Sequence, residues 1–288
     1  MNACSTLRAL TLIAAIAAVP APAPAQTVED RTQDRVAFPA HTIIGNIHYV
    51  GTGTLNSYLI TTPQGHILIN TNFEETVPLL RASIEKLGFN MNDVEIILGS
   101  HAHGDHMQAT TMVQEMTGGA QVMVMDRDVP AVEAMKTPSG RVQKVDRVLQ
   151  DGEQVTLGGT TLTAHLTPGH TRGCTTWTLA AMEGGKSHNV VIACGGLQDG
   201  ARLVGNQNYP TIADDFAASV KKYRTLPADI FLASHSWFFD LAGKHARMGS
   251  SAANPYIDPA GYRAWVDKME QDLTMMLAEQ RQNPPAAN

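Results

Sequence analysis
Apolar residues recur along this chain in short runs of two kinds, and their spacing predicts an alternation of strands and helices. Strand patterns cover Thr42 to Val50, Asn56 to Thr62 and Gly65 to Asn70, the last two joined at Pro63-Gln64-Gly65. Helical spacing follows in Glu74 to Leu87, where Val77, Leu80, Ile84 and Leu87 share a face and Gly88 stops the helix. The β-branched run Val94 to Leu98 predicts a buried strand, followed by a helix over Met107 to Met116, a strand over Ala120 to Met125 and a helix over Val129 to Met135. The second half repeats this plan. Strands are predicted at Arg147 to Leu149, Gln154 to Leu157, Thr160 to Leu166, Cys174 to Leu179, Asn189 to Ala193 and Asp229 to Leu232, with helices at Ile212 to Tyr223 and Pro259 to Arg281. This order predicts an α/β protein built as an αββα sandwich, two mixed β-sheets with helices on their outer faces.

The ends of the chain change that picture little. Arg8, the apolar run Ala9 to Val19 and Ala23-Pro24-Ala25 predict a signal peptide over residues 1–25, too short to span a bilayer as a mature helix. Export to the periplasm is therefore expected, with residues 26–288 as one catalytic domain. The polar stretch Thr27 to Ala40 predicts an extended arm without a core of its own. A formal net charge of -6 and the lack of any basic run argue against nucleic acid as a partner, and nothing implies a protein partner. Cleavage removes Cys4 and leaves Cys174 and Cys194, whose spacing is compatible with a disulfide or with two buried thiols.

The chemistry concentrates in Ser100-His101-Ala102-His103-Gly104-Asp105-His106, directly after the Val94 to Leu98 strand. In an extended segment residues two apart point the same way, so His101 and His103 can hold one cation together. Gly104 permits the turn that aims Asp105 and His106 at a second. Two further strand ends each expose one histidine, Thr167-Pro168-Gly169-His170 and Ala233-Ser234-His235. The ligand sets close as His101, His103 and His170 for one zinc, and Asp105, His106 and His235 for the other. Three protein ligands per zinc leave positions for water and substrate, the mark of a catalytic site.

His101-Ala102-His103-Gly104-Asp105-His106, Thr167-Pro168-Gly169-His170-Thr171 and Ser234-His235 resemble the metallo-β-lactamase superfamily in order and placement, across essentially the whole mature chain. Many of its thioesterases and lactonases carry an aspartate bridging both metals at the end of the strand that here reads Val190 to Ala193. No acid ends that strand, and Asp199 lies beyond a glycine pair. The chain is therefore similar to subclass B3 metallo-β-lactamases, and Leu166 to Leu179, Asn206 to Phe216 and Asn254 to Tyr262 resemble stretches of those enzymes. Other subclasses use a cysteine ligand near Cys194; here His106 completes the second set, so Cys194 is expected as a buried thiol beside the ligands.

The resemblance implies two zinc ions per chain and zinc-dependent hydrolysis of the β-lactam amide bond of penicillins, cephalosporins and carbapenems. Zinc brings the pKa of bound water near neutrality, so hydroxide is the expected nucleophile and no acyl-enzyme is required. Asp105 is the expected catalytic carboxylate, a ligand that also positions the hydroxide by hydrogen bonding. Subclass B3 members often hold the substrate carboxylate with hydroxyls in the loop that here reads Gly195 to Arg202, which has none; Gln198 and Arg202 are the candidate replacements. Asn70 is a candidate to orient a ligand, while Trp237, Phe238 and Phe239 are expected mainly in the core. His41, His48, His66, His165, His188 and His245 have no partner at ligand spacing and are read as surface or core residues. The alternatives are hydrolysis of another lactone or ester, such as an acyl-homoserine lactone, on the same metals, and metal binding without turnover.

Overall fold
The computed structural model describes Met1 and residues 31–198, 200–250 and 253–283. The expected signal peptide and Asp199 lie outside the described residues. The strands are β1 (His41–Ile44), β2 (Ile47–Tyr49), β3 (Tyr58–Thr62), β4 (Gly65–Ile69), β5 (Val94–Leu98), β6 (Gln121–Met125), β7 (Arg147–Leu149), β8 (Gln154–Leu157), β9 (Thr160–Leu166), β10 (Thr175–Glu183), β11 (Lys186–Ala193) and β12 (Ile230–Ala233). The helices are α1 (Val77–Lys86), α2 (Gly104–Met107), α3 (Thr110–Met116), α4 (Val129–Glu133), α5 (Ile212–Thr225), α6 (Leu241–Ala246) and α7 (Pro259–Gln282).

Strands β1 to β7 form a seven-stranded sheet in chain order, antiparallel through β4 and parallel from there on. The second sheet runs β12-β11-β10-β9-β8, with only β11 and β12 parallel. Both sheets are mixed, as the element order predicts. The period of two explains the layers. In β3 to β6, Tyr58, Ile60, Ile67, Ile69, Ile96, Leu98, Met123 and Met125 face the core between the sheets, where Trp177 and Val190 meet them. Their neighbours Leu59, Leu68, Ile97 and Val122 point the other way, onto Leu80 and Ile84 of α1 and Val113 of α3. Across the second sheet, Phe216, Val220 and Tyr223 of α5 pack with Tyr262, Val266 and Met269 of α7.

Two expected bounds are corrected. Thr42 to Val50 is two strands, because Gly45, at φ +51, turns the chain between Ile44 and Ile47; both strands are buried, so the apolar run looks continuous. The helix after the histidine motif starts earlier, at Gly104, and breaks at Ala109, whose N–H donates to Asn72 O at 3.0 Å. The N-terminal arm is anchored: Thr54 Oγ1 donates to the buried Asp34 carboxylate at 2.5 Å, and Phe38 packs on the core between the sheets. Helix α6 was unexpected. Among the described residues no helix is long and apolar enough to cross a membrane.

Candidate metal centre
The ends of β4, β5, β9, β11 and β12 deliver their loops to one edge of the sandwich. Strand β5 runs out at Leu98, and Met107 packs closely on Gly99, where a Cβ would lie 2.3 Å from its Sδ and would have to move that side chain. Thr175 N donates to Ser100 O at 2.7 Å and Trp177 Nε1 to Gly99 O at 3.1 Å, so β10 of the other sheet braces the start of the histidine loop. The end of β12 is tied down in the same way: Ala233 O accepts from Tyr58 OH at 2.6 Å and from Asn56 Nδ2 at 2.7 Å.

Six predicted ligands converge between these loops in two groups. The ligand atoms of His101, His103 and His170 all lie within 4.8 Å of one another. In the second group Asp105 Oδ2 is 3.6 Å from His106 Nε2 and 3.8 Å from His235 Nε2, and the two Nε2 atoms are 3.1 Å apart. Ligand atoms of His101, Asp105 and His106 also fall within 4.8 Å, so His101 stands between the groups. Its Nε2, 3.1 Å from His170 Nε2, assigns it to the first.

The ring orientations follow from what the outer nitrogens meet. His170 Nδ1 is 3.0 Å from Gly196 O and His235 Nδ1 is 3.3 Å from Thr54 O. A carbonyl only accepts, so each proton sits on Nδ1 and each Nε2 turns a lone pair inward. Burial, reinforced by the neighbouring imidazoles, holds His101, His106 and His235 well below the usual histidine range. Burial likewise brings His170 down to about 4. These are neutral imidazoles, the protonation state that binds a metal. The inward Nε2 atoms of His170 and His235 each lie 3.1 Å from the Nε2 of a second imidazole, and five imidazoles with one carboxylate form a donor set suited to zinc. The residues present therefore fit the metal.

Asn70, at φ +64, accepts from Ser100 N at 2.9 Å and donates to Asn56 O at 3.1 Å, which places its Nδ2 3.4 Å from His106 Nδ1. It joins the ends of β4 and β5 beside the second group. Cys194 is not a thiol: it forms a disulfide with Cys174, and its Sγ is 3.6 Å from His101 Nδ1. The bond is buried and ties the His170 loop to the end of β11. The aromatic trio divides. Phe239 is core and the half-buried Phe238 packs on that core and against Gly196, whereas the half-buried Trp237 stacks on His235 at 4.1 Å and 12°. On the loop of the two candidate carboxylate partners, the backbone Gln198 O accepts from Ala201 N at 3.1 Å and Arg202 Nε donates to Val204 O at 3.3 Å.

Two residues escaped the reading of the sequence. Arg31 Nη1 donates to Asp105 Oδ2 at 3.1 Å, bringing a guanidinium from the N-terminal arm to the second group. Asp128, after β6, bonds to both histidine loops. No periodicity or motif marks either one.

A model of the metallo-beta-lactamase superfamily matches residues 50–181. The solved FEZ-1 metallo-beta-lactamase from Legionella gormanii is 43% identical, with 86% of this chain and 98% of that one covered and a TM-score of 0.82. BJP-1 of Bradyrhizobium japonicum, a subclass B3 metallo-beta-lactamase, is 34% identical over 87% and 98% of the two chains, with a TM-score of 0.82. A probable metallo-hydrolase of Burkholderia pseudomallei is 27% identical over 154 residues, 46% of this chain and 49% of its own. The chain thus spans about half the length of that curated relative. The chain is an enzyme of the metallo-β-lactamase superfamily. Within it, the chain is of the subclass B3 type.

Proposed function
We propose that this enzyme hydrolyses the β-lactam amide bond of penicillins, cephalosporins and carbapenems, with two zinc ions held by His101, His103 and His170 and by Asp105, His106 and His235. The observation that carries this reading is the convergence of the two three-ligand groups, with His170 and His235 each held by a carbonyl oxygen so that Nε2 turns a lone pair inward. When bound, zinc supplies Lewis acidity toward a carbonyl oxygen and brings the pKa of water toward neutrality. The chain's own residues do the rest. Gly196 O and Thr54 O hold the rings of His170 and His235 in one tautomer. Asp105 serves as a ligand and orients the attacking water by hydrogen bonding. Trp237 and Phe238 wall the cleft beside His235 and keep bulk water from the bond to be cut. No side-chain nucleophile is required.

The substrate carboxylate needs a partner that the loop Gly195 to Arg202 does not supply as a hydroxyl. Gln198 and Arg202 are the candidates on that loop. Arg31 joins them, its side chain 45% exposed and its guanidinium on Asp105 of the second group. The enzyme is proposed to act in the periplasm after loss of residues 1–25.

The test is hydrolysis of a chromogenic cephalosporin and of a carbapenem by the purified chain, with chelator, with zinc restored, and with Asp105→Ala. Turnover that disappears with chelator, returns with zinc and falls at least a hundredfold in the variant is expected. A zinc-loaded chain that opens an acyl-homoserine lactone but neither β-lactam would replace this reading with lactone hydrolysis.

A further inference from the structure
Asp128 ends the short 3-10 turn Asp126–Asp128 and directly precedes helix α4, where its side chain could accept from the helix's free N–H groups. It makes no such bond. Its carboxylate turns away from its own helix and reaches two distant loops. Oδ2 accepts from Ala102 N at 2.9 Å and from Thr171 Oγ1 at 2.7 Å, and Oδ1 accepts from Gly173 N at 2.7 Å. The side chain is buried, with 2% exposure, and these three donors compensate a charge that would otherwise be costly to bury.

The positions of the donors are informative. Ala102 lies between His101 and His103, so bonding its amide sets the separation of those two rings. Thr171 follows His170 directly, and Gly173 closes the same loop. One carboxylate therefore touches the backbone or side chain adjoining each of the three histidines of the first group, and it does so across the two sheets. The loop of His101 and His103 leaves β5, the loop of His170 leaves β9, and Asp128 follows β6, hydrogen-bonded to β5 in the first sheet. The approach is close. A Cβ on Gly173 would stand 2.4 Å from Asp128 N and 2.6 Å from Asp128 Cβ, so only glycine lets the loop come this near.

We propose that Asp128 is the positioning residue of the His101–His103–His170 group, holding three ligands from two loops at metal-binding separation before the metal arrives. This rests on the reading of that group as a zinc site. Partners that orient metal ligands typically change affinity about ten- to hundredfold when removed. The same loss is expected here, for one metal of the two. Asp105, His106 and His235 touch none of the three bonds.

Asp128→Asn keeps the volume but turns an NH2 toward at least one of the donors; Thr171→Val removes a single bond and leaves Asp128 charged. Both variants and the unaltered chain are titrated with zinc against a chromophoric chelator, and with cobalt(II) to follow its visible absorption. Their unfolding is followed in parallel without metal. Expected are two zinc ions on the unaltered chain, about tenfold or more weaker binding of one of them in Asp128→Asn, and a loss of several-fold at the same site in Thr171→Val. The cobalt bands of the all-imidazole site should change while those of the carboxylate-bearing site persist. Should Asp128→Asn fail to fold, Thr171→Val decides the matter by itself. Unchanged affinities, or equal weakening of both metals, would overturn the role of Asp128 and leave the zinc reading standing. An unaltered chain that takes up no zinc would overturn both.

Discussion

The Cys174–Cys194 disulfide offers the most direct check on the structure, because removing it has calculable consequences. The two cysteines are 20 residues apart. In the chain-entropy account, closing a loop of that length lowers the entropy of the unfolded chain enough to stabilise the fold by about 3 kcal/mol. For a domain of this size each kcal/mol moves the melting temperature by about 2–4 °C, so a fall of about 6–12 °C is expected. The perturbation is Cys174→Ala with Cys194→Ala, compared with the unaltered chain with and without a reductant that reaches buried disulfides during unfolding. Melting is followed by circular dichroism with chelator present, since bound metal would add its own stabilisation and hide the difference. The disulfide also joins Cys174, four residues beyond His170, to Cys194 at the end of β11, two residues before the Gly196 carbonyl that holds the His170 ring. Turnover should therefore fall several-fold in the double variant even below its melting temperature. A melting temperature unaffected by reductant, together with two titratable thiols in the natively purified chain, would refute this reasoning.

Acid should destabilise the protein in part through two buried histidines outside the metal groups. Burial holds both His41 and His48 down to about 4, against 6.5 in the unfolded chain, so between those values the unfolded state binds the proton first. Their stabilisation is complete above pH 6.5 and is lost as the pH falls toward 4, at most about 3 kcal/mol for each. His48→Gln, which can still bond to Thr42 and Thr61, should flatten the dependence of melting temperature on pH in that window; an unchanged slope rules out this assignment. Removing the indole that stacks on His235, in Trp237→Ala, should raise KM for cephalosporins about tenfold or less, as expected for loss of one aromatic contact. Steady-state kinetics with an unchanged KM would place Trp237 outside the substrate's reach. Arg31→Ala should raise KM about fivefold for substrates bearing a carboxylate and much less for an ester analogue lacking it, as expected for one partly exposed charged hydrogen bond. Equal effects on the two substrates would limit Arg31 to its contact with Asp105.

Much of the fold was legible because its signals are local. The bounds of β7, β8 and β9 agree with the pattern of apolar residues, since Asp151-Gly152 and Gly158-Gly159 mark the turns between them. The six residues that converge at the candidate metal centre stood out for a related reason. Four of them occupy one short segment, and the other two follow strands that end in turn residues. What the pattern did not show was which distant backbone groups would meet them. Thr54 O reaches His235 across 181 positions, and Gly196 O reaches His170 across 26. Any residue has a carbonyl, so the sequence carries no mark of these contacts. The pairing of Cys174 with Cys194 was open for the same reason, since it depends on β9, β10 and β11 lying side by side.

Asp128 shows how a local signal can conceal a distant role. An aspartate followed by Val129-Pro130 at the start of an apolar helical stretch has an ordinary explanation as a helix cap, and that explanation accounts for the residue without reference to the metal. Only the side chain's direction separates the alternatives. A capping aspartate would spend its oxygens on α4, whereas this one accepts nothing from α4 and bonds to Ala102, Thr171 and Gly173. Gly173 carries the complementary constraint, because any side chain there would displace the carboxylate from the donors. Gly173→Ala should thus weaken the same metal as Asp128→Asn, although it leaves the charge intact. If the metal affinities of Gly173→Ala match those of the unaltered chain, the close approach is packing alone and the ligands are set by the strands themselves.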